Sequence, residues 1–332
     1  MRRTLAGLMI TALIVVFLSI KLNAFRDYQI AEIGVYVTAV AGLSVLTGLS
    51  GQISLGHGAF MAIGGYTSAL LLLHLGWPFI IVLLIAAVAT AAAGAIVGIA
   101  AARLRGPYLA GATLMLGVAL PAIALAYPGT FGGDQGLNVV FTAPGWLGSS
   151  FPLTRWQAWV TTATALVTLF LLANLSRSRI GRNWRAVRDD EVAAALAGVN
   201  VAMSRVLAFV VSAACAGLAG ALLAITTALV APTAYTITLS ITLLTAAVIG
   251  GLGTLPGAIW GSLIIVLVPT YITDLATSHG LSTKISANIP IAAYGLILIL
   301  VMLAFPRGIQ GAVRRLFVGF AQHEKEGTSE SS

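Results

Sequence analysis

GLSGQISLGHGAF, residues 48–60, breaks into an otherwise apolar part of the chain. Ser50, Gln52, Ser54 and His57 alternate there with Gly48, Gly51, Gly56 and Gly58. The flanking stretches, 33–49 and 58–75, are apolar enough to enter a membrane. Each glycine weakens a helix by about 1 kcal/mol relative to alanine. Broken backbone at membrane depth persists only where protein or a water-filled cavity satisfies its N–H and C=O groups. For the glycines as a set, close helix packing is the leading explanation. Gln52 and His57 read instead as groups lining the path of a polar solute.

Composition says why those flanks count as membrane segments. Of 332 residues, 59% are hydrophobic and 8% charged, with a mean hydropathy of +1.00. A soluble domain carries roughly 25% charged residues. Such a chain cannot clothe a water-facing surface, so the expected class is all-α, a polytopic membrane protein. A crossing needs about 20 apolar residues. Clear candidates are 4–22, 33–49, 77–101, 108–127, 157–175, 206–230 and 289–305. Shorter or interrupted ones are 58–75, 237–249 and 255–271, giving about ten transmembrane or re-entrant helices. The opening MRRTLAGLMITALIVVFLSIKL lacks a small-residue cleavage pattern and reads as an uncleaved first helix.

Charge sets the expected orientation. With the N-terminus inside and ten crossings, every Lys and Arg falls inside except Lys21, Arg26, Arg155 and Lys284. That bias supports N-in and C-in. It also explains the net charge of +8 without nucleic acid. The expected organisation is one transmembrane domain, 1–315, with an outer loop 128–156, a cytoplasmic loop 176–205 and a polar tail 316–332. The single cysteine, Cys215, excludes an intramolecular disulfide and is expected to be a core residue. No P-loop sequence is present, so ATP is not hydrolysed by that route, and no metal site or cofactor is expected.

Inside the apolar stretches as bounded, Lys21 is the only Asp, Glu, Lys or Arg. Proton-coupled carriers place ionisable groups at membrane depth. Their scarcity, with His57 as the one plausible carrier, points to energy supplied by a partner. A second interruption, VIGGLGTLPGAIWGSL at 248–263, carries Gly250, Gly251, Gly253, Gly257, Gly261 and Pro256. Interrupted short segments in corresponding halves mark a transporter's central site. The expected pathway residues are Gly51, Gln52, Ser54, Gly56, His57, Gly250, Gly251, Gly253 and Thr254. A competing reading takes GLSG as the G-x-S-G of an intramembrane serine hydrolase. Ser50 would be its nucleophile and His57 the base within hydrogen-bond reach. A third is a self-sufficient channel.

The cytoplasmic stretch SRIGRNWRAVRDDEVAAALAGVNVAMSR, 178–205, is more than a connector. Arg182, Arg185 and Arg188 lead into Asp189, Asp190 and Glu191 and then into VAAALAG. The acids suit a helix N-terminus, and Gly198 suits its C-cap. The arginines alone fit a loop held by anionic lipid. The acids and the small-residue face fit docking on another protein better.

Four stretches resemble one family: GLSGQISLGHGAFMAIGGYTSALL, LRGPYLAGATLMLG, GRNWRAVRDDEVAAALAGVNV and VIGGLGTLPGAIWGSLIIVLVP. They are similar to permease subunits of branched-chain amino acid ABC importers, LivM type, over about 31–306. The resemblance implies a multi-pass protein of the bacterial cytoplasmic (inner) membrane that translocates branched-chain or related amino acids. Relatives that serve urea or short amides supply the alternative solute. The implied partners are a second homologous permease of LivH type, two cytoplasmic ATPase subunits, an extracytoplasmic solute-binding protein and membrane lipid. Arg185, Arg188, Asp189, Asp190, Glu191, Ala194 and Gly198 would form the part coupled to the ATPase. That part resembles the E-A-A-x-x-x-G motif, but Val192 stands where the glutamate is expected, with Glu191 just before it. The stretch TFGGDQGL, 130–137, would face the binding protein.

Overall fold

A computed structural model describes residues 11, 15–17, 19–104, 106–148, 151–278, 295–296, 299–300, 303, 308–313 and 315. The expected crossing at 289–305 and the tail 316–332 lie wholly or mostly outside these residues, as does most of 4–22. So do Arg2, Arg3, Arg105, Lys284, Arg307, Arg314 and Lys325, which entered the orientation argument.

Among the described residues, helices match eight of the expected segments. α1 is Ala24–Ser44, prolonged to Leu49 by a π-turn. α2 is His57–Leu75, α3 Phe79–Ala101, α4 Pro107–Ala126 and α5 Leu153–Arg177. Two short helices of the 176–205 loop follow, α6 Arg179–Asp189 and α7 Glu191–Leu196. Then come α8 Val201–Thr227, α9 Ile237–Gly250 and α10 Leu255–Ser278. Seven of these are long and apolar enough to cross a membrane. At 14 residues α9 is about 21 Å long, short of the roughly 30 Å hydrocarbon core.

α1 starts nine residues before the apolar run that announces it. The Asn23 side chain accepts from the Arg26 N–H and caps the helix. Asp27 and Gln29 therefore lie in α1 and are buried. This corrects the expectation that the crossings carry almost no charge of their own. Arg26, Asp27 and Glu32 belong to α1, Arg155 and Arg177 to α5, Arg205 to α8 and Asp274 to α10. All of them sit toward a helix end, where a partner or the membrane surface is in reach. Asp27 is answered by Arg155 at 3.5 Å.

α8 is the hub, packed against α3, α2 and α1, while α1 also packs along α5 and α10. Small residues allow these approaches. A Cβ on Gly34 of α1 would lie 2.9 Å from Thr161 of α5, and one on Gly98 of α3 would lie 3.1 Å from Phe209 of α8. Several polar side chains inside the bundle are answered by backbone oxygens. Ser212 donates to the Gly42 carbonyl at 2.9 Å, and Gln157 to that of Ile225 at 2.6 Å.

These contacts fix relative directions. Asp27 with Arg155 and Gly34 with Thr161 make α1 and α5 parallel. Arg26 donates to the Tyr271 hydroxyl at 3.2 Å, while Gly48 meets Gly253 at the other end, so α1 and α10 run antiparallel. Beyond α4 and α8 the connections meet. Leu137–Asn138 pairs antiparallel with Leu229–Val230, and the Val139 N–H bonds the Ala228 carbonyl at 2.9 Å. The glycine-rich stretch 130–137 is therefore a tight turn folded onto the α8–α9 connection.

Candidate functional site

The first break begins in the π-turn at Val45–Leu49. The Ser50 N–H reaches the Val45 carbonyl at 3.2 Å and the Gln52 N–H that of Leu46 at 3.1 Å. This widened turn is a form common at functional sites. Gly51 then takes φ +73°, a left-handed conformation natural only to glycine. Residues 51–56 are non-helical until α2 starts at His57.

Two other helices hold that segment. The Leu55 N–H donates to Thr113 Oγ1 of α4 at 3.0 Å, and the Gly58 N–H donates to Ser240 Oγ of α9 at 2.9 Å. Gly56 lies directly on the Thr113 backbone. Thr113 and Ser240 escaped the sequence reading, because an ordinary hydroxyl in an apolar helix announces no distant partner.

The second break is the connection between α9 and α10. Gly251 has φ +115° and Gly253 φ +75°. Thr254 closes the turn through its hydroxyl, which donates to the Gly251 carbonyl at 2.7 Å. The two breaks meet: the Gly48 Cα faces the Leu252–Gly253 backbone with no room for a side chain. Beside this meeting point is a cavity of about 300 Å³. Ser44, Leu49, Ser176, Arg185, Gly253 and Pro256 are among the residues lining it.

The expected pathway residues therefore fall into two groups. Gly51, Gln52, Gly250, Gly251, Gly253 and Thr254 belong to the region where the breaks meet. Ser54, Gly56 and His57 lie with Thr113 and Ser240 at the start of α2. Gln52 is buried, donating to Ser50 Oγ at 2.6 Å and to the Arg205 carbonyl at 3.4 Å. His57 is fully buried against the edge of Phe60. Both His57 ring nitrogens, Gln52 Oε1, Ser44 Oγ and Thr47 Oγ1 lack hydrogen-bond partners. Buried polar atoms left unpaired are uncommon in folded proteins. The hydrolase dyad is not assembled: Ser50 is bonded to Gln52, and His57 makes no hydrogen bond to it.

The residues expected to couple to an ATPase form a second unit, anchored under the first break. Trp184 of α6 is buried and its indole N–H donates to the Ser204 carbonyl at 2.9 Å. Arg185 donates to the Ser176 carbonyl at 3.0 Å. Arg188 donates to the Gly48 carbonyl at 2.7 Å and also pairs with Asp189. Asp190 caps α7, accepting from the Val192 and Ala193 N–H groups at 2.8 and 3.0 Å. Glu191 pairs with Arg205 at the start of α8. At the far end Gly198, φ +84°, stops α7. Its N–H bonds the Ala195 carbonyl and the Val199 N–H that of Ala194, both at 3.0 Å, the Schellman arrangement. Ala194 faces inward, while Val192 and Leu196 are 69% and 85% exposed.

A sequence profile described as "Branched-chain amino acid transport system / permease component" matches residues 25–306. The chain is 34% identical over 256 residues to the high-affinity branched-chain amino acid transport system permease protein LivM of Escherichia coli K12, covering 70% of this chain and 60% of that protein. It thus spans less than two thirds of the length of that relative. It is 30% identical over 291 residues to LivH of the same organism and 30% over 301 residues to BraD of Pseudomonas aeruginosa. Both bear the same description, and each match covers 83% of this chain and 91% of the relative. No solved structure gives a significant match.

Proposed function

The chain belongs to the branched-chain amino acid transport system permease family, and from that membership we propose that it is the transmembrane subunit of an ABC importer. It carries branched-chain or related amino acids across the cytoplasmic membrane, on ATP hydrolysed by two separate subunits. A second permease of LivH type completes the pore, and a solute-binding protein delivers the amino acid from outside. Residues 1–315 act as one transmembrane domain.

The observation that supports this most is the meeting of the two glycine-broken segments at Gly48 and Gly253, directly above the coupling stretch. A path built from breaks can widen or close by small shifts of backbone, because no side chains have to be repacked at the contact. Gly51, Gln52, Ser54, Gly56 and His57 on one side, and Gly250, Gly251, Gly253 and Thr254 on the other, shape this path. The unpaired atoms of Gln52 and His57 offer hydrogen bonds to the ammonium or carboxylate of a passing amino acid.

The exposed face of α7, with Val192 and Leu196, docks on the ATPase. Its acids stand at the helix N-terminus and its inner face is tied to α8 through Glu191 and Arg205. A rigid-body displacement of this unit can then reach the membrane segments.

Purification of the intact complex from its native membrane tests the assignment. The expected result is a second permease and two ATPases at fixed stoichiometry, with a binding protein that carries a branched-chain amino acid. A chain that purifies alone and accumulates solute in liposomes without ATP rejects the reading.

A further inference from the structure

The geometry points to Arg188 as the link between the coupling stretch and the inner break, and we propose it as a positioning residue of transport. This rests on the permease reading above and goes beyond it. Arg188 works inward on Gly48 and does not itself grip the ATPase.

Three observations carry the assignment. The guanidinium is already committed. Nη1 donates to the Gly48 carbonyl at 2.7 Å, while Nε and Nη2 donate to Asp189 Oδ1 at 2.9 and 2.7 Å. Asp189 thus holds the fork in the orientation that reaches Gly48, and few donors are left for a partner protein. The acceptor is also suited to it. Gly48 stands in the last turn before the chain leaves the helix, where carbonyls lack intrahelical partners and the helix end is negative. Finally, the backbone is shaped around the side chain. Gly51 has φ +73°, and a Cβ there would lie 2.8 Å from Arg188 Cγ.

What Arg188 holds is the contact itself. Gly48 is bonded to Arg188 through its carbonyl and faces the Leu252–Gly253 backbone through its Cα. Moving α6 therefore pulls directly on the residue where the two breaks touch. The rest of the coupling unit moves with it. Trp184 ties α6 to Ser204, and Glu191 ties α7 to Arg205, whose carbonyl receives Gln52 from the broken segment. Arg188 is the direct bond from the coupling stretch to the break, while the other ties run to the start of α8 and, through Arg185 and Ser176, to the end of α5.

The test uses the complete importer in liposomes, with leucine uptake and ATP hydrolysis measured on the same sample. Arg188→Met should lower uptake per ATP hydrolysed by about tenfold or more, the scale of one charge-assisted hydrogen bond. The ATPase subunits should remain bound at the unsubstituted stoichiometry. Arg188→Lys keeps a cationic donor that reaches a carbonyl, and should recover much of the lost ratio. Four outcomes overturn the proposal: an unchanged ratio in Arg188→Met, uptake and hydrolysis falling together in proportion, loss of the ATPase subunits, or no recovery in Arg188→Lys. An unsubstituted complex without ATP-driven uptake removes the permease reading itself, and is told apart because it needs no substitution to appear.

Discussion

Gly48 carries more of the architecture than its size suggests. Its Cα rests on the backbone of Gly253, so even a methyl group must push two main chains apart. Gly48→Ala is expected to cut uptake at least tenfold, the effect of an angstrom-scale misplacement. Gly129→Ala, at a position open to space, should leave it unchanged. Equal uptake in the two variants would separate the contact from transport. At the other end of α1, Asp27 is almost wholly enclosed while Arg155 keeps about a fifth of its surface. Leaving a buried charge without its partner is costly. Arg155→Leu should therefore lower stability by about 2 kcal/mol, and Asp27→Leu in the same chain should restore much of it. Thermal unfolding in detergent reads both. Gln52 and His57 were legible in the sequence as polar interruptions. Thr113 and Ser240 were not, because the hydrogen bonds that recruit them cross 58 and 182 residues.

Among the elements, α7 shows how much local chemistry decides. It has six residues, too few to persist alone. Its ends are set by Asp190 and by Gly198, both readable from residue type and position. Asp190→Ala should cost about 1 kcal/mol locally and loosen ATPase binding without disturbing the membrane helices. Glu191→Lys sets two cations against each other at Arg205. It should uncouple hydrolysis from uptake, and Arg205→Glu added to it should restore the pair and the coupling. Persistent uncoupling in the swapped chain would mean that Glu191 meets another group. Leu196→Glu changes a side chain that is 85% exposed. It should abolish ATPase co-purification with no change in melting temperature, whereas retained binding would place the dock elsewhere. The beginning of α1 was not legible as a membrane helix, since hydropathy starts its count at Ile33. The cap at Asn23 and the pairing of Asp27 with a residue more than a hundred positions away carry the helix further out.

On the scale of the whole molecule, the contacts fix which helices run together. α1, α3 and α5 run against α8, and α10 runs against α1. The joined loops 127–148 and 228–236 therefore share one side, and the coupling stretch 178–200 lies on the other. Placing the first outside and the second inside predicts labelling by an impermeant maleimide. Cysteine at Gly129 should react in intact cells and cysteine at Leu196 only after permeabilisation, with buried Cys215 silent in both. The opposite pattern would invert the orientation. The class of protein was plain from composition. The meeting of the two breaks was not, because residues 48 and 253 are joined only by the fold.

The most direct measurement is leucine uptake into liposomes holding this chain with its partner permease, the two ATPases and external binding protein. Accumulation against a gradient is predicted only when ATP and every component are present. Accumulation by this chain alone, or none with the full set supplied, would contradict the central claim of a broken-helix path driven from outside the chain.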